Sequence, residues 1–458
     1  MATVVKSILR TSRTPSAPRA IRLSRRDSLG VAVDVLTPLA ARGAIIRRPR
    51  VVALEERLDA DRRAVRRLRA VRDRYGDGPV LLRMPARDIG LILSGGDARR
   101  VLAESPRPFA VANREKRGAL SHFQPNGLLV SDGRERAERR RFNEAVLQTG
   151  CPLHGLAGPF VSKLEEEAAR IAERAWLTGS LGWDDFARGW WRLVRRIVLG
   201  DAARDDEELT DLLRSLRKDA NWSYLRPTRR RLREQFLRRL DAQLERAEPG
   251  SLAELVASAE VPPGLDPHGQ VPQWLFAFDA GAMAAFRTLA LLSPHRSSLD
   301  RALAELSAEP SGAPRELPFL RGCVLESVRL WPTTPVILRD TTEETALNGA
   351  VLPAGTALVI FVPYFHRDPE QVPHADRFAP DTWLGQRSAG DWPLMPFSGG
   401  PGECPGRDVV LLAASSILAA LLGRLELRQA GPRPLRSDRP LPGTLSPFRL
   451  RFAAAARR

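Results

Sequence analysis

The spacing of hydrophobic and polar residues divides the chain into a long helical stretch and a shorter mixed one. Over residues 51–74 apolar positions recur at helical spacing among many charges. GDGPVLLRM and ARDIGLILSGG then read as two short strands punctuated by glycine. DARRVLAE opens a helix with Asp97 as its cap. Residues 105–127, rich in Pro and Phe, predict a long loop, and residues 133–148 a very basic helix. From about 158 to 260 one amphipathic helix follows another, with breaks at Gly200, Pro227 and Pro249. Residues 273–292 are apolar nearly all round, the pattern of a helix that runs through the middle of a protein. After Leu330 the texture changes, and short β-like runs such as TALVIFV alternate with Pro-rich turns. A last apolar helix covers 408–424. The fold class is therefore mainly α with a minor β portion. Residues 1–50, Arg-rich and ending in RRPR, read as a basic, irregular N-terminal arm, and 51–458 as a single domain.

With 458 residues, 43% of them hydrophobic, the chain has ample material for a large core. Its net charge is +17, carried almost wholly by arginine; lysine occurs only as Lys6, Lys116, Lys163 and Lys218. Such a balance raises the prospect of a nucleic-acid partner. The arginines, however, are spread along the whole chain with no short nucleic-acid motif beside them, and no nucleic-acid partner is expected. A docking face for an acidic electron-transfer protein would use the same charge. No run of about 18 apolar residues is uninterrupted, so no membrane span is expected. The N-terminus lacks the apolar core of a signal peptide, and a cytoplasmic location is expected.

The three cysteines, Cys151, Cys323 and Cys404, are far apart and form no C-x-x-C pair, which argues against a disulfide framework or a zinc site. Cys404 is singled out by its surroundings, PFSGGPGECPGRDVVLLAASSILAALL. A glycine-rich loop presents a thiol and runs straight into an apolar helix. Gly399, Gly400, Gly402 and Gly406 would allow close backbone approach to a flat ligand and positive φ. The helix that follows would favour thiolate, the form a metal needs. A lone cysteine is usually an inert core residue; the pattern F-x-x-G-x-x-x-C-x-G, from Phe397 through Gly400 and Cys404 to Gly406, argues otherwise.

This loop resembles the haem-binding signature of the cytochromes P450. LRGCVLESVRLWP resembles the family's E-x-x-R helix through Glu326 and Arg329, and HADRFAPDTWL resembles its meander motif, in which Arg377 would complete an ion network with that pair. Glu326 and Arg329, three residues apart, share one helical face, and an arginine fork suits a carboxylate. The resemblance spans roughly residues 50–455. It implies the cytochrome P450 fold, with haem b between the long central helix and a loop in which Cys404 is the axial ligand. For the haem propionates it implies Arg136, Arg140 and Arg339. Gly402 stands where the family usually carries Arg or His.

The central helix departs from the family's A-G-x-[D/E]-T pattern. It reads Ala280-Gly281-Ala282-Met283-Ala284. The Ala280–Gly281 pair, expected to leave room above the haem, is kept. The acid and alcohol that organise water and deliver protons are replaced by Met283 and Ala284. Asp279, one turn earlier, is the remaining candidate relay, and Arg287 another polar group on the same helix. The resemblance implies hydroxylation of an apolar small molecule by dioxygen, with electrons from a ferredoxin and its reductase, in a monomeric enzyme. Because the acid–alcohol pair is absent, a peroxide-using peroxygenase or a haem isomerase or dehydratase is the alternative. The substrate pocket is expected from residues 109–123, Phe276, Ala280, Ala284 and 333–337.

Overall fold

The computed structural model describes residues 18–84, 87–307, 312–385 and 393–457. Eleven strands are described: β1 (Ile21–Arg22), β2 (Val80–Leu82), β3 (Ile89–Leu91), β4 (Phe109–Ala110), β5 (Ser180–Gly182), β6 (Val336–Thr341), β7 (Thr345–Leu347), β8 (Ala350–Leu352), β9 (Ala357–Phe361), β10 (Leu425–Ala430) and β11 (Arg451–Ala456). The larger sheet runs β1-β2-β3-β9-β6-β4, a second runs β10-β11-β5, and β7 and β8 form a hairpin. Helices make up most of the remaining regular structure, so the mainly α class with a minor β portion is what forms.

The helices sit close to where hydrophobic period puts them. The run at 51–74 is two helices, Pro49–Leu58 and Ala60–Tyr75, divided by Asp59 in a left-handed conformation at φ 48°. The next helix, Gly95–Ala103, is capped by Ser94, whose hydroxyl accepts from the Asp97 N–H, so Asp97 is inside the helix and not its cap. The stretch 105–127 is not one loop. It contains β4 and a helix, Arg114–Leu120, capped by Asn113. The strongly basic helix is Gly133–Leu147, and the helices Ala157–Thr178, Trp183–Leu199, Glu207–Ala220 and Arg230–Leu244 follow.

The irregular arm expected for 1–50 is corrected over its described part. Residues 1–17 lie outside the described residues. Beyond them the chain forms β1, paired in parallel with β2, then a helix from Arg25 that passes through one π-helical stretch, Ala32–Leu36, into Thr37–Arg42. Leu23, Val31 and Val35 are buried in the same apolar cluster as the larger sheet. These few apolar residues, hidden among arginines and serines, hold the segment down. Arg42 adds ion pairs to Glu55 (2.8 Å) and Asp61 (2.7 Å), all three buried.

The central helix, Val271–Leu292, is buried over most of its length. It crosses the helices Trp183–Leu199, Pro318–Leu330 and Arg407–Arg424, and all four share one apolar cluster. Among the described residues, 268–292 is the one segment long and apolar enough to cross a membrane, and 78% of its apolar window is buried inside the protein. Burial against other helices accounts for that composition.

Candidate active site

The helix Pro318–Leu330 carries Glu326 and Arg329, both fully buried. Arg329 Nε donates to Glu326 Oε1 at 2.6 Å and Nη2 donates to Oε2 at 2.8 Å, the two-point fit of a guanidinium on a carboxylate. The remaining N–H groups of Arg329 reach the carbonyls of His366, His374, Ala375 and Arg377. The Glu326 carboxylate also accepts from the Trp383 indole and the Ala379 N–H, each at 2.9 Å.

Arg377 therefore enters the network through its main chain, and its side chain is exposed. The expected third ionic member is replaced by carbonyls and by Trp383. A buried guanidinium with five N–H donors is satisfied more cheaply by carbonyls than by a second cation, which it would repel.

His366, also fully buried, connects this network to the cysteine loop. Its Nε2 accepts from the Met395 N–H at 2.8 Å, which leaves the ring proton on Nδ1, facing the Arg329 carbonyl at 3.3 Å. Met395 leads directly into Pro396 and Phe397. His366 had no signal in the sequence, and Trp383 falls inside the meander-like run without being marked in it, because each acts on main-chain or carboxylate atoms of a distant segment.

In the loop itself, the Cys404 N–H donates to the Phe397 carbonyl at 3.0 Å, so the two ends of the motif are joined. Gly400 has φ +58°, and a Cβ there would lie 2.2 Å from the Leu102 carbonyl oxygen; no other residue fits. Gly399, Gly402 and Gly406 do not adopt positive φ, contrary to expectation. Gly406 instead offers its N–H to the Cys404 thiol, and that bond and the Arg140 charge oppose a burial that pushes the thiol pKa up. The helix Arg407–Arg424 starts three residues after Cys404. Thr149 holds the Pro405 carbonyl at 2.7 Å, and Arg140 donates to the Glu403 carbonyl and pairs with Glu144.

A cradle of cations faces this loop. Arg339 is 2% exposed, bonds Ser105 and the Leu338 carbonyl, and leaves Nη2 without a partner. A Cβ on Gly402 would lie 2.3 Å from that same Nη2, so Arg339 occupies the space of the side chain missing at 402. Arg136, from the helix Gly133–Leu147, bonds the carbonyls of Leu128 and Pro401. Burial pulls both arginines down to about 10, and each repels a neighbouring cation. Lys116, which the sequence reading passed over, joins them. It donates to the carbonyls of Val111 and Leu338, and burial and then Arg339 and Arg136 hold its pKa well below the ordinary lysine value. Two buried arginines and a half-buried lysine with no carboxylate at ion-pair distance among the described residues, one arginine carrying an orphaned N–H group, are what a dianionic ligand edge requires.

On the central helix, Phe276, Asp279 and Ala280 are half-buried, while Met283 and Ala284 are fully packed. Gly281 has a different task from the one expected: a Cβ there would meet Val410 at 3.0 Å and Trp190 at 3.1 Å, so its smallness serves helix crossing. Asp279 is ion-paired with buried Arg217 at 2.6 Å. The Ala284 carbonyl accepts two hydroxyls, from Thr288 and Ser327, each at 2.9 Å.

A cysteine loop, a buried Glu–Arg helix pair and a cation cradle thus meet in one region, and the chain can be compared with known proteins on that basis. The family described as Cytochrome P450 matches residues 299–447. A cyclooctat-9-en-7-ol 5-monooxygenase from Streptomyces melanosporofaciens is 32% identical over 213 residues, 43% of this chain and 44% of that protein. Cytochrome P450 4c3 from Drosophila melanogaster is 29% identical over 34% of this chain and 31% of its own. The aligned part is thus under half the length of these relatives. Among solved structures, a retinoic-acid-bound cyanobacterial CYP120A1 superposes with a TM-score of 0.68 at 15% identity, covering 85% of this chain and 94% of that one. The haem domain of cytochrome P450DA gives 0.67 at 17% identity, over 86% and 93%. Residues 299–447 thus resemble the cytochrome P450 family, and the fold is the one those solved structures share.

Proposed function

We propose that this protein is a monooxygenase that binds haem b, with Cys404 as axial ligand, and oxidises a largely apolar small molecule. The observation that carries the reading is the orphaned, buried Arg339 N–H beside Arg136 and Lys116, facing the loop that presents Cys404. These cations would hold the propionates; the Gly406 N–H and the helix start would favour thiolate at Cys404. The haem, when bound, supplies oxygen activation, to which a cysteine ligand contributes electron density. The chain's own part is to orient the substrate and exclude water. The described apolar and half-buried face of the central helix at Phe276 and Ala280 suits that part. Electrons from a ferredoxin and its reductase, dioxygen as oxidant, a cytoplasmic location and a monomeric state belong to the same proposal.

Use of peroxide is the second reading, and one feature favours it. The only acid on the central helix is tied to Arg217, and the hydroxyls of Thr288 and Ser327 are both committed to the Ala284 carbonyl. No described side chain takes the place of the family's acid–alcohol pair. Product formed with a redox partner, compared with product formed with peroxide alone, separates the two readings. The primary test is the reduced, carbon-monoxide-bound spectrum. It should show the red-shifted Soret band of thiolate ligation in the wild type, and Cys404→Ala should lose it while Cys151→Ala and Cys323→Ala keep it. Retention of that band in Cys404→Ala would overturn the assignment.

A further inference from the structure

The central helix has one face that its neighbours leave half-covered. Gln273, Phe276, Ala277 and Ala280 recur there at helical spacing and are half-buried, whereas Trp274, Leu275 and Phe278 between them are at most 3% exposed. The stripe stops at Gly281, from which point crossing helices close over the rest of Val271–Leu292. Phe276 is the one large apolar side chain on it.

Two contacts fix the Phe276 ring. Phe123, fully buried, meets it edge-on, with centroids 5.9 Å apart and planes at 73°. The guanidinium of Arg217, from the helix Glu207–Ala220, lies over the ring at 4.7 Å. Arg217 is itself 3% exposed, and Asp279 is its one carboxylate partner among the described residues, at 2.6 Å. The same guanidinium donates to the Ile45 carbonyl at 3.1 Å, and its Nε has no acceptor. A buried guanidinium held by one carboxylate and one carbonyl depends for its place on that carboxylate. Asp279 stands three residues after Phe276, so the two share a side of the helix and Arg217 spans both.

Building on the monooxygenase reading, we propose that Asp279 is a positioning residue for specificity. Through Arg217 it holds the Phe276 ring as a fixed wall against the apolar body of the substrate. Loss of its charge frees the guanidinium, the ring turns, and the shape that the site accepts changes.

The test titrates the ferric, haem-loaded protein with imidazole and with 4-phenylimidazole, and reads nitrogen ligation from the Soret shift. The phenyl group reports on the wall; imidazole, which lacks it, is the control. Phe276→Ala should change the ratio of the two dissociation constants by at least about five-fold, the effect of one aromatic contact. Asp279→Asn should move the ratio in the same direction by at least about three-fold, with imidazole affinity within about two-fold of wild type in both variants. Added to Phe276→Ala, Asp279→Asn should change the ratio by less than about two-fold, because the ring it positions is gone. Arg217→Met combined with Asp279→Asn leaves no unpaired charge. It should match Asp279→Asn, and it decides the matter if that variant does not fold. An unchanged ratio in Asp279→Asn, with a lowered thermal midpoint alone, overturns the inference, since the ion pair would then be a plain brace between helices. An unchanged ratio in Phe276→Ala overturns it as well, and so does an Asp279→Asn effect that persists in the Phe276→Ala background. Absence of the thiolate carbon-monoxide band in the wild type would strike the monooxygenase reading instead, and the azole ratios would still report on the ring.

Discussion

Glu55 is 5% exposed and shares the guanidinium of Arg42 with Asp61. Asp61 takes two hydrogen bonds from that guanidinium, and neither oxygen of Glu55 has a well-formed one. Burial therefore wins over attraction, and the carboxyl pKa rises from 4.5 to about 7. A carboxyl whose pKa is higher in the folded than in the unfolded chain stabilises the fold below about 4.5, and that contribution disappears as pH rises through about 7. The expected outcome is that Glu55→Gln flattens the loss of stability between these values, with a gain on the order of 1–3 kcal/mol at pH 8 relative to the wild type. Denaturant melts at pH 5 and pH 8 check it. An unchanged pH slope in Glu55→Gln would contradict the assignment. Nothing in the sequence marks Glu55, because its pKa comes from neighbours 13 residues before and 6 after it that tertiary packing assembles.

At the scale of elements, the helix Pro318–Leu330 and the loop at Cys404 form one mechanical unit. Arg329 binds four carbonyls from the segments 366–377, and His366 passes that order to Met395, two residues before Phe397. Removing the Arg329 side chain strands Glu326 as a buried charge, at a cost of about 3–5 kcal/mol against a typical total of roughly 5–15. Arg329→Ala should therefore yield little haem-loaded protein, read as the ratio of Soret to protein absorbance. Arg377→Ala, which keeps the carbonyl that Arg329 uses, should stay within about 0.5 kcal/mol of wild type. A collapse of Arg377→Ala would show that its guanidinium matters after all. The sequence motif showed that Glu326 and Arg329 pair, since i and i+3 share a helix face. It could not show that Arg377 serves through its backbone, because the motif records side-chain identity and the bond uses none.

Over the whole molecule, arginine does much of its work inside. Arg42, Arg195, Arg217, Arg287, Arg329, Arg339 and Arg367 are all buried, so the positive charge is in part an internal framework. The described part of the first fifty residues belongs to that framework. A chain lacking residues 1–48 would lose β1, the Leu23, Val31 and Val35 contacts, and the Arg42 partner of Glu55 and Asp61. It should express as aggregated or haem-poor protein, measured by size-exclusion chromatography and haem content; a well-behaved, haem-loaded truncation would show the segment to be dispensable. The helical class, the central helix and the cysteine loop were readable because hydrophobic period and glycine spacing are local signals. The N-terminal segment was not, because four buried apolar residues (Ala20, Leu23, Val31 and Val35) among many arginines leave a weak period, and its stability comes from a sheet and ion pairs formed far along the chain.

Gly402 and Arg339 claim the same volume: the side chain absent from one is the room taken by the other. The two positions are therefore coupled in their tolerance to change. An arginine or histidine introduced at 402 meets the guanidinium at 339 head on, and becomes acceptable only once residue 339 has been shortened. Mutational paths that move the cation from one position to the other must pass first through the loss at 339, and the reverse order leads through a protein that cannot close its cysteine loop.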